Sequence, residues 1–434
     1  HGGGHAVAPL LYFSDVRFTN DSILDYLRKR YNDEPTLIQR QVIPLALAGY
    51  DCIGLAETGS GKTLAYVLPI VHRIYELRNK CLPVDQHGPL GLVIVPTREL
   101  AQQIEVVVRA LTRDLKLISL IGGHQVEEQG FRMRTGAELV IGTPGRLRDF
   151  VERHLLVFNQ CQFLVLDEAD RMVDMNYEED LVFLLDQFEC AETIGSSDTI
   201  TGTNGKRPTI LMFSATMPPA CEKIAKQYTR RTYTSTIRVG TIGSAVDTVQ
   251  QRLFMLNSEH EKAQRIIIDL EKISPPVIVF VNQKQTVDYL TDRLSKLMPK
   301  LKLASIHGGK TQEQRERAIN DLRMERADVL IATDVAGRGL DVPNVSLVIN
   351  YDMPAKIEDY VHRVGRTGRA GSDGTAITYL VPATDANVFY DLRQCLMRST
   401  RSKVPDELNN HEASQTKPGT VKQTRQERVT AFGV

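Results

Sequence analysis

The chain has 434 residues, 42% of them hydrophobic, more than one single-core domain of common size uses and enough for two. Lys+Arg and Asp+Glu both count 53, which excludes a globally basic nucleic-acid binder, so any such contact must come from local patches. The six cysteines contain no C-x-x-C pair, which argues against a zinc site or disulfide framework and for reduced thiols inside a cell; no apolar run approaches the roughly 18 residues of a membrane span.

Taken in chain order, the opening HGGGH reads as the end of a flexible segment, with more natural sequence expected upstream. DCIGL (51–55) is a short strand that runs into a Gly-rich turn. LGLVIVP (90–96), FLVLD (163–167) and TILMFS (209–214) are further apolar, β-branched runs, each ending in a polar loop. PVIVFVN (276–282), DVLIATD (328–334) and SLVINYD (346–352) repeat the pattern in the second half. Near-continuous apolar strands alternating with helices are the mark of a parallel sheet covered on both faces, hence an α/β fold. Ile104, Val107, Val108 and Leu111, and later Val287, Leu290 and Leu294, recur at helical spacing and are expected to be core. A polar, Gly- and Ser-rich stretch at 187–208 interrupts the first half and reads as an inserted surface loop. Loss of periodicity places a flexible linker at 236–250, between domains at 1–235 and 251–400. Residues 401–434, polar and with little periodicity, read as an extended tail.

AETGSGKT (56–63) carries chemistry that can be named directly. Thr58, Gly59, Ser60, Gly61, Lys62 and Thr63 form a phosphate cradle. The glycines let backbone N–H groups turn toward an anion at a helix N-terminus. Lys62 supplies a charge to the β- and γ-phosphates, and the Thr63 hydroxyl is placed for Mg²⁺. Ala56 stands where the generic pattern has its first glycine. FLVLDEAD supplies the second carboxylate such a site needs: Asp167 at a strand end for Mg²⁺, with Glu168 beside it as general base for ATP hydrolysis.

With PTREL (96–100), TPGR (143–146), SAT (214–216), ATDVAGRGLD (332–341) and HRVGRTGR (362–369) in order, the chain resembles a DEAD-box RNA helicase over roughly residues 13–400. The resemblance implies two tandem RecA-like domains that bind ATP and single-stranded RNA between them. PTLIQ (35–39) is similar to the family's Q motif, in which Gln39 would read adenine. The family has an aromatic residue seven positions earlier, where this chain has Asn32; either the adjacent Tyr31 takes that role or stacking is weakened. Phe13 and Phe18 both stand as the further upstream aromatic. Arg366 and Arg369 are the implied arginine fingers, Asp341 the ribose contact, and Asp170, Ser214, Thr216, His362 and Arg363 the network that couples hydrolysis to movement. Implied RNA contacts are Pro96, Thr97, Arg98, Gly122, Gly123, Thr143, Gly145 and Arg146 in the first domain. Asn282, His307, Gly308, Gln314, Arg317, Thr333 and Asp334 are their counterparts in the second. Such contacts read the sugar–phosphate backbone and not the bases.

The stretches at 121–147, 167–181 and 405–420 are similar to the spliceosomal branch of the family. That implies a nuclear, monomeric pre-mRNA-splicing helicase acting with snRNP proteins and no membrane. A helicase of ribosome assembly or RNA export would share every catalytic motif. An ATP-gated RNA clamp and a weakly active scaffold are the remaining readings. A small-molecule kinase is disfavoured, since nothing resembles a lid or acceptor site.

Overall fold

The computed structural model describes residues 7–18, 20–56, 59–79, 88–123, 125–189, 207–230, 232–239, 249–272, 274–334, 345–368 and 374–417. Two parallel sheets organise them. The first contains β1 (Asp51–Ala56), β2 (Gly91–Ile94), β3 (Leu117–Leu120), β4 (Leu139–Gly142), β5 (Phe163–Leu166), β6 (Thr209–Ser214) and β7 (Thr234–Val239), in the order β3-β4-β2-β5-β6-β1-β7. Its six neighbouring strand pairs are all parallel, as in Cys52 against Leu211 and Val93 against Val165. Parallel neighbours need crossovers, and the intervening helices cover both faces. Val93, Ile141, Val165, Leu211 and Phe213 point into one core; their alternates Leu92, Val140, Leu164, Ile210 and Met212 point into the other. That two-sided burial is why these runs read as continuously apolar.

The second sheet holds β8 (Val249–Met255), β9 (Val277–Val281), β10 (Leu303–Ile306), β11 (Val329–Thr333), β12 (Leu347–Asn350) and β13 (Gly374–Leu380), in the order β10-β11-β9-β12-β13-β8. Val279, Ile331, Ile349 and Tyr379 share one core with Val287, Leu290 and Leu294 of the helix Lys284–Leu297. The helix Arg98–Leu111 likewise buries Ile104, Val108 and Leu111, with Val107 at the core's edge. Together these are the tandem RecA-like architecture that the alternating pattern and the resemblance lead one to expect.

Three boundaries differ from the sequence reading. Residues 236–239 complete β7, and β8 begins at Val249, so the linker reading of 236–250 rests on 240–248, which lie outside the described residues. Thr234–Val239 looks weak in sequence because an edge strand exposes one face. At the insertion, the helix Glu178–Glu189 runs to its end before residues 190–206, also outside the described set. The expected extended tail is corrected over 405–415: Asp406–Asn410 and Glu412–Gln415 form short helices against the helix Phe389–Arg398. Leu408 and Ser414 are fully buried there, His411 meets Phe389 edge-on at 4.9 Å, and Arg393 donates to Asn409. A few buried anchors suffice to dock a segment whose average composition is polar.

Cys52, Cys161, Cys221 and Cys395 are free and buried; Cys81 and Cys190 lie outside the described residues. No described helix is long and apolar enough to cross a membrane.

Candidate functional site

β1 ends at Ala56, and the helix Lys62–Asn79 starts six residues later. Between them Gly59 and Gly61 take φ of 86° and 94°, a region open to glycine at little cost. Gly61 is required for a second reason: a Cβ there would come within 2.5 Å of Gln39 Nε2 and 2.8 Å of Thr36 Oγ1. That approach joins the loop to the helix Leu37–Leu47. Thr36 Oγ1 donates to the Ser60 carbonyl at 2.8 Å, and Gln39 Nε2 to the Gly61 carbonyl at 2.9 Å. Gln39 Oε1 accepts from the Thr36 N–H at 2.8 Å, half of a capping box that T-x-x-Q spacing foretells. The Gln39 amide therefore holds its own helix cap through Oε1 and the glycine loop through Nε2, and keeps one N–H and one lone pair for a further partner. Lys62 is nearly buried and donates to the Ala56 carbonyl at 2.7 Å. Thr58 lies outside the described residues.

The upstream aromatics separate clearly. Phe13 is fully buried with its ring 6.3 Å from Tyr31, whereas Phe18 packs edge-on against His72 at 5.8 Å. Tyr31 is 38% exposed. Asn32 adopts the left-handed conformation at φ 56°, closing the helix Asp21–Tyr31, a place that suits asparagine.

β5 delivers Asp167, whose N–H continues the ladder to the Ile94 carbonyl at 3.0 Å. Its Oδ2 accepts from the buried Tyr66 hydroxyl at 2.8 Å and its Oδ1 from the Glu168 N–H at 2.9 Å. Burial pushes the Asp167 carboxyl up to about 6, against the lowering effect of Lys62; the Glu168 charge adds to the rise and the Tyr66 bond opposes it. Glu168 sits in the left-handed region at φ 52°. Its Oε2 lies 2.9 Å from Nη1 of Arg171, a guanidinium that is 2% exposed. Asp170 Oδ2 accepts from the Ala215 N–H, the Thr216 N–H and the Thr216 hydroxyl, while the Asp170 N–H donates to Ser214 Oγ at 3.1 Å. The structure thus brings Asp170, Ser214 and Thr216 together.

On the same sheet, Pro96, Thr97, Arg98, Gly122, Thr143, Gly145 and Arg146 line one depression, to which Met175 and Tyr177 also contribute. The first seven come from strand ends or the first turns that follow, and Met175 and Tyr177 from the link between the helices Ala169–Asp174 and Glu178–Glu189. Thr97 caps the helix Arg98–Leu111, and Thr143 precedes Pro144 at the head of the helix Pro144–Glu152. The Arg98 guanidinium lies over Gly122 and Gly123, where a Cβ would fall 2.7 Å and 2.5 Å from its nitrogens. Burial first, and neighbouring cations including Arg146, lower the Arg98 pKa below its usual value.

In the second unit Arg363 is a hub. Its guanidinium is fully buried and bonds both oxygens of Asp334, the Asp352 carbonyl and Asn282 Oδ1. Asn282 and Asp334, expected as RNA contacts, are here ligands of that arginine. His307 accepts the Gly309 N–H on Nδ1, Gln314 forms a capping box with Thr311, and Arg317 is exposed at the helix that follows. Thr333 is buried at the end of β11, and Gly308 faces open space. Arg366 is 5% exposed and donates from Nε to the His362 carbonyl at 3.1 Å. Asp341 and Arg369 lie outside the described residues.

Sequence reasoning missed Tyr66 and Arg171. Each stands within four residues of a motif residue on its own helix, but nothing in a single sequence marks its side chain as facing the site.

Two parallel sheets, one with a glycine loop and a facing strand-end carboxylate, define a P-loop protein of the RecA-like class. Residues 36–224 match the DEAD/DEAH box helicase family model and residues 259–371 the helicase conserved C-terminal domain. A DEAD box protein of Methanococcus jannaschii is 31% identical, with 92% of this chain and 100% of that chain covered and a TM-score of 0.50. The chain belongs to the DEAD-box helicase family. Dbp5 of S. cerevisiae, solved with RNA and ADP BeF3, is 26% identical, with coverage of 92% and 97% and a TM-score of 0.74. The Schizosaccharomyces pombe pre-mRNA-splicing ATP-dependent RNA helicase prp28 is 46% identical over 399 residues, 90% of this chain and 60% of that protein. The chain spans between 51% and 60% of the length of the first curated relatives it matches.

Proposed function

We propose that this chain is an RNA-stimulated ATPase that locally remodels RNA duplexes or ribonucleoproteins, acting in nuclear pre-mRNA splicing together with snRNP proteins. The observation that carries the ATPase reading is the meeting of Lys62, Asp167 and Glu168 at the carboxyl ends of β1 and β5, with Asp170 holding the Ser214–Thr216 turn beside them. The splicing assignment rests on the names of the relatives alone.

The residues present fit a Mg²⁺ ion. Asp167 is a buried carboxylate whose ionised form burial disfavours, and a divalent cation would offset that penalty. Among the described residues no cluster of three His, Cys, Asp or Glu side chains could cage a metal, so Asp167 and Thr63 would hold the ion together with phosphate oxygens. When bound, the ion screens the phosphate charge.

The chain's own groups do the rest. Lys62 exchanges its bond to Ala56 for a phosphate oxygen, and the loop amides cradle the same group. Glu168, oriented by Arg171, accepts the proton of the attacking water at its carboxylate. Arg366 and Arg369 are the cations proposed for the charge that develops on the γ-phosphate. Asp170 passes the nucleotide state to the Ser214–Thr216 turn. The glycines and helix N-termini around Arg98 and Arg146 bind RNA backbone.

The test is steady-state ATP hydrolysis with and without short single-stranded RNA, alongside Glu168→Gln. Stimulation by RNA and a loss of about 10²-fold or more in the variant are expected. Undiminished hydrolysis by Glu168→Gln would remove it as the base.

A further inference from the structure

The helix that begins at Lys62 carries a group toward Asp167 that the proposed mechanism does not use. Tyr66 is fully buried, and its ring centroid lies 5.3 Å from that of Phe213 on β6, the strand next to β5. That packing fixes where the hydroxyl sits. It donates to Asp167 Oδ2 at 2.8 Å. The phenol therefore touches the carboxylate proposed to face the metal.

A phenylalanine ring would fill the same apolar space without a buried hydroxyl that needs a partner. The hydroxyl's partner is a carboxylate, so the bond is charge-assisted and directional. Lys62 spends its ammonium on the Ala56 carbonyl, which leaves the Tyr66 hydroxyl and the Glu168 N–H as the hydrogen bonds that orient the Asp167 carboxylate. Each carboxylate oxygen then keeps acceptor capacity for the hydration water that Mg²⁺ gives up reluctantly.

We propose that Tyr66 is a positioning residue that orients Asp167 for Mg²⁺ and sets how strongly nucleotide binding depends on that ion. The inference rests on the ATP and Mg²⁺ reading proposed above.

The experiment measures binding of a fluorescent ADP analogue by the full chain and by Tyr66→Phe, in a Mg²⁺ titration and in EDTA. In the variant the half-saturating Mg²⁺ concentration rises about tenfold while affinity in EDTA stays within about twofold. A half-saturating concentration within about twofold of the parent's overturns the proposal. A parent chain whose nucleotide binding ignores Mg²⁺ overturns the reading of the site itself, and this inference with it. Should Tyr66→Phe fail to fold, Tyr66→Phe combined with Asp167→Asn removes the charge that the lost hydroxyl would strand. That double variant should show the Mg²⁺ response of Asp167→Asn alone; a further weakening of threefold or more, roughly, would sink the proposal, because the hydroxyl would then act other than through the carboxylate.

Discussion

Glu168 holds a left-handed backbone that costs a non-glycine residue about 1–3 kcal/mol, and its side chain is tied back by Arg171. On the proposed mechanism, a base held in one direction by a buried guanidinium loses that direction when the guanidinium goes. Arg171→Met should therefore lower kcat for ATP about tenfold, with nucleotide affinity little changed, in single-turnover and binding assays. Gly142 makes the opposite kind of point. A Cβ on it would stand 2.7 Å from Leu147 and 2.9 Å from the Leu120 carbonyl. Gly142→Ala is expected to destabilise the first unit by about 1–3 kcal/mol, read as a lower melting temperature. The cradle residues were legible because they are consecutive and their chemistry needs no fold to state. Tyr66 was not, since its partner lies 101 positions away.

Among the elements, most central strands announced themselves, whereas the interior strands β4 and β13 and the edge strands did not. β2, β5, β6, β9, β11 and β12 bury both faces and read as apolar runs; β7, with every residue partly exposed, merged into the expected linker. Polar clusters between elements were also hidden. Asp114 accepts from Thr112, Tyr75 and Arg78, joining the helix Lys62–Asn79 to the loop before β3, and the same arginine reaches Glu138 at the start of β4. Hydrogen bonds from Thr112 and Tyr75, then Arg78, hold the Asp114 carboxyl down to about 2. A depressed carboxylate contributes stability that is present above its unfolded pKa near 3.8 and lost as pH falls through about 2. Asp114→Asn should lower the melting temperature by about 1–2 °C at pH 7, the side chain being 63% exposed, and that gap should narrow below about pH 4.

For the whole molecule, equal counts of acidic and basic residues leave the proposed RNA affinity to local groups, of which Arg98 and Arg146 with the surrounding amides are the candidates. On the proposed reading those groups face a sugar–phosphate backbone. Arg98→Ala and Arg146→Ala are each expected to weaken binding by a similar factor, about three- to tenfold, for two short RNAs of unlike sequence, measured by fluorescence anisotropy. A loss confined to one sequence would mean that a base is being read. By itself the sequence determined the family, the α/β class and most strands of both sheet interiors, β4 and β13 excepted, because local runs and spaced motifs record them. The tertiary structure decided which distant neighbours hold the site's residues in place: Tyr66 on Asp167, Gln39 on the glycine loop, and Arg363 on Asn282 and Asp334. Contacts between residues far apart in the chain depend on how strands and helices are stacked, and no local pattern encodes that.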